Sequence, residues 1–340
     1  MESGKNMNFD NDNIRDGKQD PFMTKTIVVW AGALLCCALW GSAFPCIKIG
    51  YKIMGIEASD TASQILYAGI RFTLAGILAI ILGSLLARKF LYPKRQAYAK
   101  VAWLSMLQTV LQYFFFYVGL AHTSGVKASI IEGMNVFVAI VVAALIFGQE
   151  KITFQKMLGC IIGFAGVVLV NLQGGVMDIS FSFLGEGFIF LSTVAYAFSS
   201  VYLKKFSQTE NTVMLSGYQF VFGGIVMSIV GLFMGGHFEG NITVEGILMI
   251  CWLAFVSAVA YSLWGILLTY NPVSRVAVFG FMNPVFGVVL SAVLLGESEA
   301  LGLICLGSLV LVCVGIFIVN KGESNKGESN KGESNKGESD

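Results

Sequence analysis

Two charged side chains, Arg71 and Glu132, stand well inside long apolar runs of this 340-residue chain. A charge at the centre of a membrane-spanning helix commonly costs about 2.5–3.5 kcal/mol on insertion scales, so a charge kept there marks a site. Arg71 offers a planar fork of donors that suits a carboxylate or phosphate in bidentate contact; pinning its helix to a neighbour is the alternative. Glu132, stripped of water, holds a proton more tightly than a solvated acid and can load and release it near neutral pH, coupling solute movement to a proton gradient. Its alternative role is a fixed counter-ion to Arg71 or Lys127. Around these two, Trp40, Gln112, Tyr113, Tyr196, Gln219, Tyr261 and Trp264 supply stacking faces and hydrogen-bonding groups for an organic solute. This is the chemistry of binding and release. No His-Glu-x-x-His arrangement, nucleophile constellation or phosphate-cradling Gly-rich loop with Lys and Ser/Thr occurs, and His122 and His237 are isolated. No catalytic residue, metal ligand or cofactor is therefore assigned, and the chain is read as no enzyme.

The elements that must hold these residues follow from composition. The chain is 56% hydrophobic and 13% charged, with a mean hydropathy of +0.74, where a soluble domain is about 25% charged. Nine charges sit in residues 1–25 and another nine in 321–340, so fewer than a tenth of the residues between are charged. That is too little for the polar skin of a soluble fold, which leaves the bilayer as solvent. The fold class is an all-α integral membrane protein. A net charge of +1 excludes an extended basic nucleic-acid face; the partners implied are membrane lipids and a small-molecule substrate. The seven cysteines lie in apolar runs and read as small hydrophobes.

Runs of roughly 20 apolar residues, the length that crosses about 30 Å, fall near 26–49, 64–86, 99–121, 124–147, 154–172, 183–203, 212–234, 245–269, 274–296 and 300–320, ten helices in all. Lys and Arg concentrate in alternate loops, at 88–100, 151–156, 204–205 and 275, which predicts a multi-pass protein of the cytoplasmic membrane with both termini cytoplasmic. On this topology Arg71 and Glu132 enter from the same side to a similar depth, about 10 Å for Arg71, so that an Arg71–Glu132 pair can form. Gln112, Tyr113 and Trp40 fall at that level.

The chain also repeats itself. A shift of 148 residues aligns Gly69 with Gly217, Phe72 with Phe220, Gly76 with Gly224, Tyr113 with Tyr261, Asn135 with Asn283 and Gly159 with Gly307; in the first spans a shift of 156 places Trp40 on Tyr196. Each unit has an odd number of helices, so the second enters the membrane inverted, as in carriers that alternate access to a midplane site. The expected organisation is a polar cytoplasmic tail (1–25), two inverted five-helix repeats (26–172 and 183–320) and a disordered tail of Lys-Gly-Glu-Ser-Asn units (321–340). In this frame Asn135 and Asn283 read as interhelical hydrogen-bond glue. Gly159, Gly163 and Gly166 form a ridge for close packing within the bundle, with a homodimer seam as the alternative. Pro45 and Pro284 predict kinks.

The stretch Ala-Leu-Trp-Gly-Ser-Ala-Phe (38–44) with Lys48, the Arg71–Phe72 pair, Met-Asn-Pro-Val-Phe (282–286) and Leu-Gly-Glu (295–297) resemble the EamA type of the drug/metabolite transporter superfamily, over nearly all of 26–320. Val136 departs from the pattern where the second repeat has Pro284, as does Gln149 where the family often has glutamate. The resemblance implies a ten-helix inverted-repeat carrier of small metabolites, such as amino acids or related compounds, with the site between the halves and export as the direction. A lipid flippase or a non-transporting membrane partner on the same scaffold is the alternative.

Overall fold

A computed structural model describes residues 22–57, 59–123, 128, 131–171, 181–238, 243–295 and 303–336. Residues 1–21, Lys127, Gly296, Glu297 and most of the 173–182 loop lie outside them. All regular structure among the described residues is helical. In chain order the segments are α1 (Thr26–Met54), α2 (Thr61–Leu86), α3 (Arg95–Ala121), α4 (Ile131–Ile146), α5 (Phe154–Asn171), α6 (Phe183–Phe206), α7 (Thr212–Phe233) and α8 (Val244–Tyr270). They are followed by α9, built from Val273–Ala277, a 3₁₀ turn Val278–Phe281 and Met282–Leu295, and by α10 (Leu303–Lys336). Among the described residues eight helices are long and apolar enough to cross a membrane; Ile131–Ile146 and Phe154–Leu169 are apolar but shorter.

Local chemistry sets the helix ends. The Asp60 side chain accepts the Ser63 amide at 3.0 Å to cap α2, Asn211 does the same for α7 through Met214 at 2.9 Å, and Gly55 ends α1 with a left-handed φ of 67°. Proline explains less. Pro284 lies in the first turn of Met282–Leu295, where its missing N–H costs nothing. The repeat-equivalent break in α4 falls at Met134, although Val136 stands in the place of that proline. α10 continues past the apolar stretch through the Lys-Gly-Glu-Ser-Asn units to Lys336.

Packing is organised by small residues. α2 lies along α7, α5 along α10, and α1 against both α8 and α9. At the α2–α7 crossing a Cβ on Gly69 would come within 2.8 Å of the Gly224 carbonyl, and one on Gly224 within 2.7 Å of the Gly69 carbonyl. Gly76 and Gly217 face each other in the same reciprocal way. Only glycine lets the backbones approach this closely. The ridge on α5 is likewise covered within the chain: a Cβ on Gly159 would sit 2.7 Å from the Gly315 carbonyl, one on Gly166 2.8 Å from the Ser308 carbonyl, and Gly163 abuts the Phe281 ring. That corrects the alternative reading of the ridge as a dimer seam. Its surface is already occupied by α10 and α9.

Two buried carboxylates tie loops to helix starts. Glu150, in the α4–α5 loop, pairs with Lys156 at 2.5 Å, accepts the Ser274 amide at 3.0 Å and also accepts the Ser274 hydroxyl, joining the first half of the chain to the start of α9. Glu186 accepts the Thr123 hydroxyl and the Ser182 amide, both at 2.6 Å.

Candidate functional site

Four rings from four helices close on one another in the interior. Phe72 of α2 and Phe220 of α7 stack with centroids 5.2 Å apart and planes at 12°. Phe72 meets Tyr113 of α3 at 4.4 Å, and Phe220 meets Tyr261 of α8 at 4.9 Å. The circuit closes where the Tyr113 and Tyr261 hydroxyls hydrogen-bond at 2.6 Å. Trp40 of α1 extends the wall, 5.0 Å from both Tyr261 and Trp264. Edge-to-face and offset contacts of this kind add about 0.5–1.5 kcal/mol each beyond burial.

Polar groups converge on this wall without partners of their own. Arg71 is only 5% exposed, its guanidinium carbon lies 4.5 Å from the Phe72 centroid, and its Nε and Nη1 have no hydrogen-bond acceptor. The cation is held partly by the ring face, which leaves two donors for something else. Gln219, fully buried, stands at the repeat-equivalent position in α7. Its Oε1 accepts the Thr109 hydroxyl at 2.6 Å and its main-chain carbonyl accepts Ser105 at 2.8 Å, while its Nε2 has no partner. Trp40 Nε1 and Gln112 Oε1 are also buried and unpartnered. An unsatisfied buried polar group costs about 1–3 kcal/mol, so these atoms mark a candidate site. Donors outnumber acceptors, which suits an acceptor-rich, anionic group on the ligand, and the rings suit its apolar body.

Thr109 and Ser105 reach Gln219 because α3 is a π-helix over Ser105–Leu111, widened so that Ser105, Gln108 and Thr109 all turn inward, and because Gly223 leaves room for Thr109. Such bulges recur at functional sites. Sequence reasoning missed Thr109 and Ser105, since nothing in the residue pattern marks a π-bulge. It also passed over Phe72 and Phe220 as site residues, although their shared register was a usable signal.

Of the expected site residues, Trp40, Arg71, Tyr113, Tyr261 and Trp264 share this cluster, with Gln112, whose Oε1 has no partner, and Gln219, whose Nε2 has none, at positions adjacent to Tyr113 and Phe220. Tyr196 makes none of these ring contacts; its carbonyl accepts the Ser199 and Ser200 hydroxyls on its own helix at 2.7 and 3.0 Å. Glu132 is half-buried on α4, and among the described residues no ion pair joins it to Arg71. Equal depth set the two at one height, but the faces of α2 and α4 decide whether they meet. The Asn283 Oδ1 has no partner either, against the expectation of interhelical glue at that atom.

Known proteins fit this architecture. A solved crystal structure superposes with a TM-score of 0.67 over 86% of this chain and 96% of that one at 15% identity, which establishes a shared fold. An uncharacterized transporter of Archaeoglobus fulgidus is 29% identical over 302 residues, 86% of this chain and 98% of its own. A probable amino-acid metabolite efflux pump of Escherichia coli is 29% identical over 300 residues, 84% of this chain and 92% of its own. The model of the EamA-like transporter family matches twice in succession, at residues 27–172 and 183–321, and the chain, a multi-pass membrane transporter, belongs to that family.

Proposed function

We propose that the protein is a secondary transporter of small organic metabolites, amino acids or related compounds, which it exports by alternating access at the aromatic wall. The observation that carries the reading is the set of unpartnered donors on Arg71 and Gln219 beside a closed ring of four aromatics drawn from both halves of the chain. Arg71 takes the carboxylate of the solute, Gln219 and Trp40 donate to further acceptors, Gln112 accepts from an ammonium or hydroxyl, and Tyr113, Tyr261 and Trp264 enclose the body.

Ten helices in two inverted repeats, 26–172 and 183–320, provide the motion. Phe72–Phe220 and Tyr113–Tyr261 are each 148 residues apart, the repeat shift, and the Gly69–Gly224 contact is mirrored by Gly76–Gly217. Reciprocal contacts between equivalent positions support a two-fold relation with the site on its axis, about which the halves can rock. The Glu150–Ser274 tie joins the halves at one end and would open in the opposite state. Glu132 supplies the proton coupling, and the basic loops place both termini in the cytoplasm. The amino-acid class and the export direction are supported by the printed name of the Escherichia coli relative.

The test is a panel of radiolabelled metabolites in proteoliposomes, with and without an imposed pH gradient, for the native protein and Arg71→Gln. Glutamine is the residue at the equivalent position of the other half, so the variant should fold. Transport of carboxylate-bearing solutes by the native protein and its loss, tenfold or more, in Arg71→Gln is the expected result. Movement of no solute together with translocation of labelled phospholipid would replace this reading with a flippase.

A further inference from the structure

Beyond the aromatic wall, toward the end of the bundle where α1 stops and α2 starts, lies a second layer of tyrosines. Tyr67 stands four residues before Arg71 on α2, and Tyr117 four after Tyr113 on α3, each about 6 Å farther along its helix and on the same face. Tyr51, in the last turn of α1, meets Tyr67 with ring centroids 5.4 Å apart, and Tyr113 and Tyr117 are 6.3 Å apart. Tyr51 packs against the apolar cluster that holds Phe72, Phe220 and Tyr261, so the two layers are continuous. The Tyr67 hydroxyl lies over Gly50, where a Cβ would collide with it.

Two of these hydroxyls are buried and unfilled. The Tyr51 and Tyr67 oxygens have no hydrogen-bond partner, and neither do Nε and Nη1 of Arg71. Tyr117 lies near Tyr51 without closing a hydrogen bond to its hydroxyl. The Arg71 charge is close enough to act on the hydroxyls of Tyr51 and Tyr67 as well as on those of Tyr113 and Tyr261, but the last two are bonded to each other. The acids of the α1–α2 turn are engaged locally: Asp60 caps α2 through the Ser63 amide, and Glu57 accepts the Ser59 hydroxyl at 3.4 Å. Two donors of Arg71 and two phenolic hydroxyls therefore share one region with no acceptor bonded to any of them. A carboxylate offers about four lone-pair sites on two oxygens and no donor, so it complements this set, whereas a carboxamide brings two donors of its own. The first half alone supplies the layer: the repeat shifts place Ser207, Leu215 and Gly265 at the positions of Tyr51, Tyr67 and Tyr117.

We propose that Tyr51 and Tyr67 complete, with Arg71, an anion subsite that takes the carboxylate of the transported solute and restricts the site to carboxylate-bearing compounds. The subsite rests on the transport reading above and adds an orientation to it: the carboxylate points to the α1–α2 turn and the apolar body lies against Phe72, Tyr113 and Tyr261. Because one half alone supplies these groups, the solute keeps that orientation as the halves rock. In the empty protein the two hydroxyls are buried without acceptors, which costs stability, and the solute's carboxylate relieves that cost. Removing a hydroxyl therefore moves affinity and stability in opposite directions, which a purely structural tyrosine would not do.

Benzoate and benzamide share a ring and differ in the group that would enter the subsite. Their binding to the purified full-length protein in detergent is measured by isothermal titration calorimetry at neutral pH, alongside the unfolding temperature. The native protein should prefer benzoate, and Tyr51→Phe and Tyr67→Phe should each weaken benzoate binding about tenfold while leaving benzamide unchanged. Both variants keep the ring contacts and lose an unpartnered hydroxyl, so their unfolding temperatures should equal or exceed the native one. Absent benzoate binding, equal affinity for the two ligands in the native protein, or unchanged benzoate affinity in Tyr51→Phe/Tyr67→Phe would overturn the assignment. The measurement needs no flux, which separates it from transport. Hydroxyl-dependent benzoate binding by a protein that moves no solute supports the subsite and removes the transport reading, whereas carboxylate transport with unchanged benzoate affinity in the double variant overturns the subsite alone.

Discussion

The hydroxyls of Tyr113 and Tyr261 share a hydrogen bond of 2.6 Å across 148 residues of chain. The same separation relates Phe72 to Phe220, which stack, and each phenylalanine meets the tyrosine of its own half. Arg71 and Gln219 each stand one residue before a stacked ring. The first is charged and the second neutral, so the site is symmetric in its rings and asymmetric in its field.

Removing one hydroxyl of the pair should cost more than half of removing both. Tyr113→Phe leaves the Tyr261 hydroxyl buried without a partner, a loss of about 1–3 kcal/mol, and Tyr113→Phe/Tyr261→Phe should fall well short of the sum of the single variants. Thermal unfolding of all four forms in detergent measures the coupling. Strict additivity would show that the two groups do not interact.

The α2–α7 crossing should reject a methyl group. Gly224→Ala places a Cβ 2.7 Å from the Gly69 carbonyl, backbone that cannot yield without moving a helix, for a loss of about 1–3 kcal/mol. Gly307→Ala, whose nearest neighbour would be Leu169 Cδ2 at 3.7 Å, should stay within about 0.5 kcal/mol of the native protein. Similar unfolding temperatures for the two variants would contradict this account of the crossing.

At the α4–α5 loop, Glu150→Gln withdraws the carboxylate that Lys156, the Ser274 amide and the Ser274 hydroxyl all share. Breaking a buried pair from one side costs about 3–5 kcal/mol, whereas Ser274→Ala removes a single hydroxyl contact and should cost about 1 kcal/mol. The ranking, read from denaturation midpoints, is the informative quantity; the reverse order would mean that the serine rather than the ion pair holds the loop.

If Glu132 carries the coupled proton, Glu132→Gln transports its solute at a rate independent of an imposed pH gradient, while the native protein responds to it. Proteoliposome flux at several internal pH values decides the matter. An unchanged pH response in the variant removes Glu132 from the coupling step.

Asp60 at the start of α2 gives a pH signature of stability. Partial burial pushes its carboxyl up, but hydrogen bonds from Ser63 and the nearby His237 outweigh this and hold it below the ordinary value of 3.8. A carboxyl depressed on folding stabilises the protein above its unfolded pKa, and that contribution fades as the pH falls through the folded one. Asp60→Asn keeps the cap and loses the charge, so the native protein should exceed it at neutral pH by a margin that shrinks as the pH falls below the ordinary carboxyl value. A difference between the two that persists unchanged at low pH would exclude this origin.

Hydropathy and spacing reveal a great deal of this protein. The bilayer supplies no hydrogen bonds, so every spanning segment must satisfy its own backbone, and apolar runs mark where helices lie. The rarity of charge within those runs singled out Arg71, and self-similarity exposed the register that pairs Tyr113 with Tyr261. Spacing along one helix did not reveal which faces meet. The depth argument paired Arg71 with Glu132, yet Arg71 turns to the Phe72 ring and, among the described residues, no ion pair joins it to Glu132, because rotation about each helix axis is set by packing between helices.

What the sequence by itself determined, then, is the solvent, the helices, the repeat and the family resemblance, all properties of runs and periods along the chain. Tertiary structure alone decided that Phe72 and Phe220 stack, that a π-helical stretch of α3 turns Thr109 onto Gln219, that α10 covers the Gly159–Gly166 ridge, and that Glu150 reaches across to Ser274. Each of these is a contact between segments distant in sequence. Such contacts depend on helix rotation, bulges and close backbone approach, which leave no period along the chain.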